Sequence, residues 1–427
     1  MPELYRVEEA RMEDGRHPRL SSESAGSETW VGASTAFAMS FVWQGAATRV
    51  VQGENQLRLL GDHCQSLGMK RILFLSSPSV AASKAGSAVV DFLGERIVAR
   101  LDSIPPHSGE EAVANGVHLA RNAAIDGVVA LGGGSVSDTA KAILIVLAEG
   151  GDIADHANIF YPPDRYDQKI LARPKLPLLV IPTTASAAEV TPGLGIRARN
   201  GHKLVFWDVN VVPRIIILDP EAYRETPVGV LASTGMNAFA HCVEGLYSRV
   251  RNPVSSALAL HAARGLFHAL PAMIAEPAVD RYRMTVMAGA HLSGHVIANA
   301  RVGLHHAICH GLGSHGGLGH GEANAIMLPH VMRYNASVAG PELAQLAEAM
   351  GIDVRGKPEA QSALAAIDLV VDLQHHIGVP RRLRDLGFDR DKIAAIARMT
   401  LSDRGAYFNP RPAPPAEDIA AVIEAAW

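Results

Sequence analysis

In the first half of the chain, short aliphatic runs alternate with stretches of helical spacing. After Arg49-Val50-Val51, the runs fall at residues 71–75, 127–131, 178–181 and 215–218, and residues 112–124 have the spacing of a helix. Short runs that are aliphatic on every position are typical of strands buried on both faces. Strands of this kind separated by helices predict a parallel sheet with helices on both sides.

The pattern changes after about residue 227. From there to residue 427 the chain is rich in Ala and Leu, has helical periodicity and contains almost no strand-like run. We therefore predict an α/β domain over residues 45–222 and an all-helical domain over residues 223–427. Residues 1–44 lack a regular pattern, and we interpret them as a loosely ordered extension.

Composition narrows the class of protein. The chain has 427 residues, of which 48% are hydrophobic, and a formal net charge of -4. This apolar content is sufficient for a folded core, and the charge does not favour nucleic acid or an anionic membrane as a partner. A small-molecule substrate is the expected partner. The cysteines, Cys64, Cys242 and Cys309, are scattered and form no CxxC pair, which favours a reducing, cytoplasmic location.

Targeting signals are not expected. Polar and charged residues interrupt the apolar runs before they reach the roughly 20 residues that a membrane-spanning helix needs. Residues 1–30 are acidic and rich in Ser, and the apolar segment 30–43 has no basic segment before it, unlike a secretory signal. The sequence therefore predicts neither a membrane span nor secretion.

A glycine-rich turn is the strongest local motif of the first half. Gly132-Gly133-Gly134-Ser135 directly follows the aliphatic run that ends at Leu131 and directly precedes a helical stretch. Glycines allow close backbone approach, and the free N–H groups of a helix start favour a pyrophosphate. A second polar turn, residues 182–189, follows the next inner strand, and the two turns can hold one dinucleotide between them. The alternative is a glycine-rich turn without a ligand.

The second half of the chain carries a set of histidines with helical spacing. Asn237 and His241 are four residues apart, as are His306 and His310, and His320 follows in a glycine-rich turn. Three imidazoles from such positions are ligands that zinc or ferrous iron accepts. The alternative is a set of hydrogen-bonded structural histidines. A neutral amide at Asn237 is a poor metal ligand, so metal affinity should be low if this residue takes the fourth corner.

These motifs resemble the iron-containing alcohol dehydrogenase superfamily from about residue 49 to residue 427. The resemblance implies a Rossmann-like α/β domain followed by an all-α domain, the fold shared with dehydroquinate synthase. It also implies that the nicotinamide cofactor contacts Gly133, Gly134, Ser135, Asp138, Lys141, Thr183 and Thr184. In metal-using members an Asp and three histidines bind the ion, and the matching positions here are Asn237, His241, His306 and His320. His310 matches a family histidine assigned to proton transfer.

Within the superfamily, residues 235–241 and 407–412 are similar to segments of the maleylacetate reductases, which generally work without metal. This similarity implies reduction of maleylacetate, or a related unsaturated oxo-acid, to 3-oxoadipate in aromatic-compound degradation. Two features depart from it: Ala185 stands where that branch usually has Tyr, and residues 320–325 are closer to the alcohol dehydrogenases. The alternatives are an alcohol dehydrogenase that uses iron or zinc on His241, His306 and His320, and a binding protein without catalysis. Relatives are commonly homodimers.

Several details of ligand binding stay open in the sequence. Ser76-Ser77-Pro78 follows the first clear strand, where relatives that prefer NAD often have an Asp that binds the adenosine ribose. Without that carboxylate, the expected cofactor is either NADH or NADPH. Lys203 and Arg411 are candidates for pairing with substrate carboxylates, and exposed surface charge is the alternative for both.

Overall fold

A computed structural model describes residues 41–412 and 414–427 of the chain. Residues 41–48 have no regular secondary structure, and the Gln44 backbone N–H donates to the Asn299 side chain. The rest of the extension predicted over residues 1–44 lies outside the described residues. The described residues all belong to one compact unit.

A six-stranded parallel sheet forms the centre of the first half. In chain order its strands are β1 (Arg49–Gln52), β2 (Ile72–Ser76), β3 (Ile97–Leu101), β4 (Gly127–Gly132), β7 (Leu178–Pro182) and β10 (Ile215–Leu218). Their order across the sheet is β1-β10-β7-β4-β2-β3. The predicted parallel sheet is confirmed, and β3 is an addition. Edge strand β3 has Arg100 in its middle and is only partly buried, so it lacks the aliphatic signal of the inner strands.

The strand order places a crevice at one end of the sheet. From β2 the chain crosses to β3 on one side and then to β4 on the other side. Loops that leave the carboxyl ends of strands on either side of such a reversal diverge and leave space for a ligand. The glycine-rich turn follows β4 at this edge, and the polar turn after β7 lies beside it because β4 pairs with β7.

Helices cover both faces of this sheet, as its aliphatic strands require. In the first half these helices are α1 (Leu60–Ser66), α2 (Pro78–Ala81), α3 (Lys84–Leu93), α4 (Glu110–Asn122), α5 (Gly134–Glu149) and α6 (Pro220–Tyr223). Two antiparallel hairpins leave the sheet, β5 (Ile159–Tyr161) with β6 (Arg165–Asp167), and β8 (Gly193–Arg197) with β9 (Lys203–Trp207). The sequence patterns did not predict the hairpins.

The second half is helical throughout the described residues. Its helices are α7 (Val228–Tyr247), α8 (Pro253–Ala275), α9 (Asp280–Ala300), α10 (Leu304–Ser314), α11 (His320–Asn335), α12 (Gly340–Ala349), α13 (Glu359–Ile377), α14 (Ile393–Thr400) and α15 (Ala416–Ala425). A short 3-10 helix, Arg404–Tyr407, lies between α14 and α15. The predicted fold class, an α/β part followed by an all-helical part, is confirmed. The exact boundary between residues 222 and 223 stays a prediction.

Helix α8 corrects one expectation from the sequence. It has 23 residues, and its mean hydropathy of 1.2 makes it long and apolar enough to cross a membrane by length and composition. Its buried residues, 39% of the apolar window, belong to the protein core. Ala262, Leu266 and Leu270 are fully or almost fully buried in a cluster that also contains residues of α7 and α9. Long buried helices of this kind are apolar for the same reason as membrane spans, because both exclude water.

Candidate active site

The two polar turns at the sheet edge are in direct contact. Strand β4 ends at Gly132 and α5 begins at Gly134, so the turn is reduced to Gly133. A Cβ atom on Gly133 would lie 2.8 Å from Thr184 Oγ1, which leaves room for glycine only. The Thr183 N–H donates to the Gly132 carbonyl at 3.1 Å. The two turns therefore lie side by side, the free N–H groups at the start of α5 face the same edge, and binding of a dinucleotide there stays a prediction.

Asp138 and Lys141 hold the second turn from inside the protein. Lys141 is fully buried, and its ammonium group donates to the carbonyl oxygens of Ala188, Thr191 and Gly193. Asp138 accepts from the Gly195 N–H at 3.0 Å. Burial raises the pKa of Asp138 and lowers that of Lys141, while the attraction between the two opposes both shifts. These contacts give both residues a positioning role, and direct contact with the cofactor stays a prediction.

Ser135 ties a third loop to the glycine-rich turn. Its hydroxyl accepts from the His107 N–H at 3.1 Å, and Thr139, one turn further along α5, donates to the Ser108 hydroxyl at 2.6 Å. The loop between β3 and α4 is therefore fixed to the start of α5. Segments that follow β3, β4 and β7 together surround the predicted pyrophosphate position.

The helices α7, α10 and α11 bring the predicted histidines together. His241 stacks on His306 with 4.8 Å between ring centroids, and the centroids of His306 and His320 are 5.9 Å apart. His310 stacks on His320 at 5.7 Å with an interplanar angle of 13°. The i, i+4 spacing within α7 and α10 is confirmed, and His320 is the first residue of α11 rather than part of the preceding turn.

Two buried groups behind the cluster fix the orientation of its rings. Glu244 Oε2 accepts a short hydrogen bond from His306 Nδ1–H. Ser293 donates its own proton to the Ala290 carbonyl, so its oxygen accepts from His241 Nδ1–H at 3.2 Å. In both imidazoles Nε2 therefore faces the centre of the cluster. Fixing one ring nitrogen in this way decides which nitrogen is free for a ligand or a proton.

Burial keeps the central imidazoles neutral. It lowers the pKa of His306 to about 4, although the Glu244 carboxylate beside it acts in the opposite direction. Burial and then the neighbouring His306 lower the pKa of His241, and burial and then Lys203 lower that of His320. Burial alone would raise the pKa of Glu244, but the imidazoles of His306 and His305 hold it below its ordinary value. Burial alone would lower the pKa of His305, but Cys309 and Glu244 raise it well above its ordinary value, so the buried carboxylate has one charged imidazole beside it as well as neutral rings.

The Asn237 amide contacts the Nε2 edge of both stacked imidazoles. Its amide oxygen is 3.2 Å from His306 Nε2, and its amide nitrogen is 3.4 Å from His241 Nε2. The side chain is buried and contributes no charge. One amide thus bridges the two ring nitrogens that face the centre of the cluster.

This donor set offers a divalent cation three imidazole nitrogens and no carboxylate. Structural and catalytic metal ions in proteins draw His nitrogens to about 2.0–2.1 Å and are commonly completed by an anionic ligand. Among the described residues, the group whose ligand atoms lie within 4.8 Å of one another is Glu244, His305 and His306. That group is held together by hydrogen bonds to Glu244, and it does not include His241 or His320. His241, His306 and His320 supply nitrogen atoms for a metal, but Asn237 supplies a neutral amide in place of a carboxylate.

His310 is paired with a carboxylate that the sequence analysis missed. Its Nδ1–H donates to Asp403 Oδ2 at 2.6 Å, and about a quarter of each side chain is exposed. Burial raises the pKa of Asp403, but the adjacent His310 outweighs it and holds the pKa below its ordinary value. An imidazole oriented by a carboxylate and open to solvent can deliver a proton and recover it. This geometry supports the proton-transfer role that the family resemblance implied for His310.

Glu244 was missed as well, although a signal for it was present. It follows His241 by three residues on α7, and residues with this spacing share a helix face. Asp403 had no comparable signal, because 93 residues separate it from His310.

Lys203 and Arg411, the two residues suggested to pair with substrate carboxylates, lie in different surroundings. Lys203 lowers the pKa of His320, which places its charge near the cluster. Arg411 hydrogen bonds to Ser337 and lies over the Tyr334 ring at 4.9 Å. The contacts of Arg411 therefore involve neither the histidines nor Asp403.

Comparison with known proteins gives consistent matches over the same part of the chain. Residues 47–220 match the family model described as iron-containing alcohol dehydrogenase, and residues 231–427 match the model described as Fe-containing alcohol dehydrogenase family, C-terminal. The chain is 33% identical to 1,3-propanediol dehydrogenase of Klebsiella pneumoniae over 88% of this chain and 96% of that protein. It is 31% identical to maleylacetate reductase of Rhizobium sp. (strain MTP-10005) over 87% of this chain and 93% of that protein.

A solved structure of 1,3-propanediol oxidoreductase is similar as well. It aligns with a TM-score of 0.85 at 31% sequence identity and covers 91% of this chain and 100% of that one. The similarity therefore extends over both the sheet and the helical part.

Proposed function

Because the chain belongs to the iron-containing alcohol dehydrogenase family of oxidoreductases, we propose that it uses NADH or NADPH to reduce maleylacetate, or a related unsaturated oxo-acid, to a saturated oxo-acid such as 3-oxoadipate. The bridging position of Asn237 carries this proposal. A neutral amide held against the Nε2 atoms of His241 and His306 favours chemistry by hydrogen bonding over chemistry by a metal ion. The similarity to a maleylacetate reductase agrees with it.

The reaction needs a hydride, a proton and stabilisation of negative charge. A bound nicotinamide would supply the hydride, which would add to the carbon of the double bond remote from the ketone while the electron pair moves to the ketone oxygen as an enolate. Hydrogen-bond donors positioned in a water-poor site stabilise such charge. The Asn237 amide N–H is a donor in this cluster. His241 and His306 face its centre with an unprotonated Nε2, because their Nδ1–H groups donate to Ser293 and Glu244, and His320 is the remaining polar group. A proton then adds to the carbon beside the ketone, which gives the saturated oxo-acid and NAD(P)⁺.

His310 is the proposed source of that proton. Asp403 fixes its Nδ1–H, which leaves Nε2 for proton transfer, and the side chain is open to solvent for reprotonation. The pyrophosphate of the cofactor is assigned to the N–H groups of Gly134 and Ser135 at the start of α5, with Gly133 and Thr184 forming the floor of the turn.

A direct assay tests this function. Purified protein is mixed with maleylacetate and either NADH or NADPH, and cofactor oxidation is followed by absorbance together with product identification. Formation of 3-oxoadipate is expected with at least one cofactor. Absence of turnover with maleylacetate and with a panel of other unsaturated oxo-acids would contradict the proposal, and absence of any NADH or NADPH binding would favour a non-catalytic binding protein.

A second function is favoured by the similarity to 1,3-propanediol dehydrogenase. In this alternative, a metal-dependent alcohol dehydrogenase interconverts alcohols and aldehydes or ketones, and His241, His306 and His320 would hold iron or zinc. The ion would polarise the substrate oxygen, and Glu244 behind His306 has the position of an orienting carboxylate.

Metal analysis separates the two functions. Under the main proposal the protein carries no stoichiometric iron or zinc, and maleylacetate reduction survives chelation. Asn237→Asp supplies the missing anionic ligand, so this variant should bind zinc at least about tenfold more tightly than wild type. Stoichiometric metal in the wild-type protein, with activity lost on chelation, would support the second function.

A further inference from the structure

Two arginines beside the histidine cluster have no ion pair among the described residues. Arg301 directly follows α9, and Arg404 begins the 3-10 helix Arg404–Tyr407. Their contacts are with aromatic rings instead. Arg301 lies over the Trp207 ring at 3.9 Å, and Arg404 lies over the Tyr166 ring at 3.9 Å and the Phe408 ring at 5.2 Å. Aromatic faces hold guanidinium groups in place without neutralising them.

The two arginines repel each other electrostatically and are partly buried. Burial and then the adjacent Arg404 lower the pKa of Arg301 to about 10, and burial lowers the pKa of Arg404 as well. Both residues are only partly buried by area. Two like charges in such surroundings destabilise each other, and a bound anion would relieve that repulsion.

The backbone at Arg301 gives independent evidence for a ligand. This residue has φ 64° and ψ 168°, a region that only glycine enters without strain. Glycine would be the stable choice at the end of α9. An arginine that is strained, unpaired and stacked on Trp207 contributes little to folding, and strained residues cluster at sites that bind ligands.

The arginine pair adjoins the reacting groups. Arg404 directly follows Asp403, the partner of His310. A Cβ atom on Gly405 would lie 3.0 Å from the Gly303 carbonyl, so the segments that carry the two arginines pack against each other. Trp207 is paired with Gly193 across the β8–β9 hairpin, and the Gly193 carbonyl accepts from Lys141. The pair therefore lies where the hairpin that follows the cofactor turn meets the histidine helices.

From this arrangement we propose that Arg301 and Arg404 form a substrate subsite that binds a carboxylate remote from the reacting carbon. A guanidinium group presents parallel N–H donors that match the two oxygens of a carboxylate. The subsite selects substrates with a terminal carboxylate over neutral alcohols and aldehydes of the same length. This subsite adds substrate selection to the proposed function. It rests on that function in one assumption, that the substrate reacts at the histidine cluster.

Binding measurements test the subsite without depending on turnover. The protein is first saturated with NAD⁺ or NADP⁺, whichever it binds more tightly. Adipate and its uncharged counterpart hexane-1,6-diol are then titrated into this complex. Wild type should bind adipate at least about tenfold more tightly than the diol. Arg301→Gly and Arg404→Gln should each weaken adipate binding by about tenfold or more and leave diol binding unchanged, because charged hydrogen bonds are lost. Arg355→Gln, which removes an exposed arginine elsewhere, is the matched control and should behave as wild type.

The glycine variant also shows whether Arg301 has a structural role. Since glycine adopts this backbone conformation freely, the thermal midpoint of Arg301→Gly should equal or exceed that of wild type. Unchanged adipate affinity in both variants, or equal losses for adipate and the diol, would overturn the subsite. If adipate binding depends on both arginines but maleylacetate is not reduced, the subsite stands and the proposed reaction fails. If maleylacetate is reduced by wild type and both variants with unchanged KM, the reaction stands and the subsite fails.

Discussion

At the scale of single residues, two carboxylates of the site are each hydrogen bonded to one histidine. Glu244 and Asp403 each accept from the Nδ1–H of one histidine, His306 and His310 respectively. The first pair is buried, and the second is open to solvent. This difference assigns orientation to the first pair and proton exchange to the second, because a proton donor must be refilled from water.

The first prediction concerns the exposed pair. His310→Ala should reduce kcat by roughly 100-fold or more, the usual contribution of a general acid, while NAD(P)H affinity stays unchanged. Asp403→Asn should cause a smaller loss, because it removes only the orientation of the ring. The double variant should be no slower than His310→Ala alone, since both act through one proton transfer. Steady-state kinetics and cofactor fluorescence titration measure these effects, and unchanged turnover in His310→Ala would remove this residue from the mechanism.

A second prediction concerns Glu189, which is buried beside the positioning lysine. One of its carboxylate oxygens has no hydrogen-bond partner among the described residues, and burial raises its pKa from 4.5 to about 7. The folded state therefore holds a proton more tightly than the unfolded state. The stabilisation is complete below about pH 4.5 and is lost as pH rises through about 7. The loss amounts to roughly 3 kcal/mol at most, with the opposing effect of Lys141 already included.

Urea unfolding at several pH values between 5 and 8 measures this effect. Glu189→Gln cannot ionise, so its free energy of unfolding should fall less over this range than that of wild type. Glu54→Gln, which changes an exposed glutamate, serves as the control and should follow the wild-type pH dependence. Parallel pH profiles for wild type and Glu189→Gln would show that Glu189 does not titrate in this range.

At the scale of elements, the cofactor turn depends on close contact between two loops. Gly133→Val would force a side chain against Thr184, whose Oγ1 lies 2.8 Å from the Cβ position. Overpacking of this kind costs about 1–3 kcal/mol, so NAD(P)H affinity should fall by roughly tenfold or more. Gly229→Ala is the control, because no atom lies within 4 Å of its Cβ position. Fluorescence titration with NADH and NADPH measures both variants, and wild-type affinity in Gly133→Val would exclude this turn as the cofactor site.

At the scale of the whole molecule, the sheet and the helices share a core. One cluster of buried residues contains Phe74 and Ile217 from the sheet together with Phe239, Leu266 and Val286 from the helices α7, α8 and α9. The two predicted domains, residues 45–222 and 223–427, are thus joined by common apolar contacts. We propose that they are parts of one cooperative structure rather than independently stable units.

Thermal unfolding provides the corresponding prediction. Circular dichroism in the far and near ultraviolet should report coincident single transitions for the purified protein. Saturating cofactor should shift the whole transition to higher temperature, because it binds only the folded state. Two separate transitions, of which only the first moves with cofactor, would contradict the shared core.

The sequence by itself determined the local features of this protein. The aliphatic runs predicted the inner strands β2, β4, β7 and β10, because strands buried on both faces must be apolar at every position. The glycine-rich turn and the i, i+4 pairs of α7 and α10 were predictable for a similar reason, since each depends on residues that are close in the chain. The edge strand β3 and the two hairpins lacked this signal because they are only partly buried.

Only the tertiary structure decided which distant residues meet. His306 and Glu244 are separated by 62 residues, and His310 and Asp403 by 93, so their pairing follows from how the helices pack. The same holds for Arg301 and Arg404, which resemble ordinary surface arginines in the sequence. Burial, backbone conformation and the absence of an ion pair among the described residues distinguish them, and these are properties of packing. Local pattern thus specifies elements and spacing, whereas charge balance at the site depends on contacts between elements.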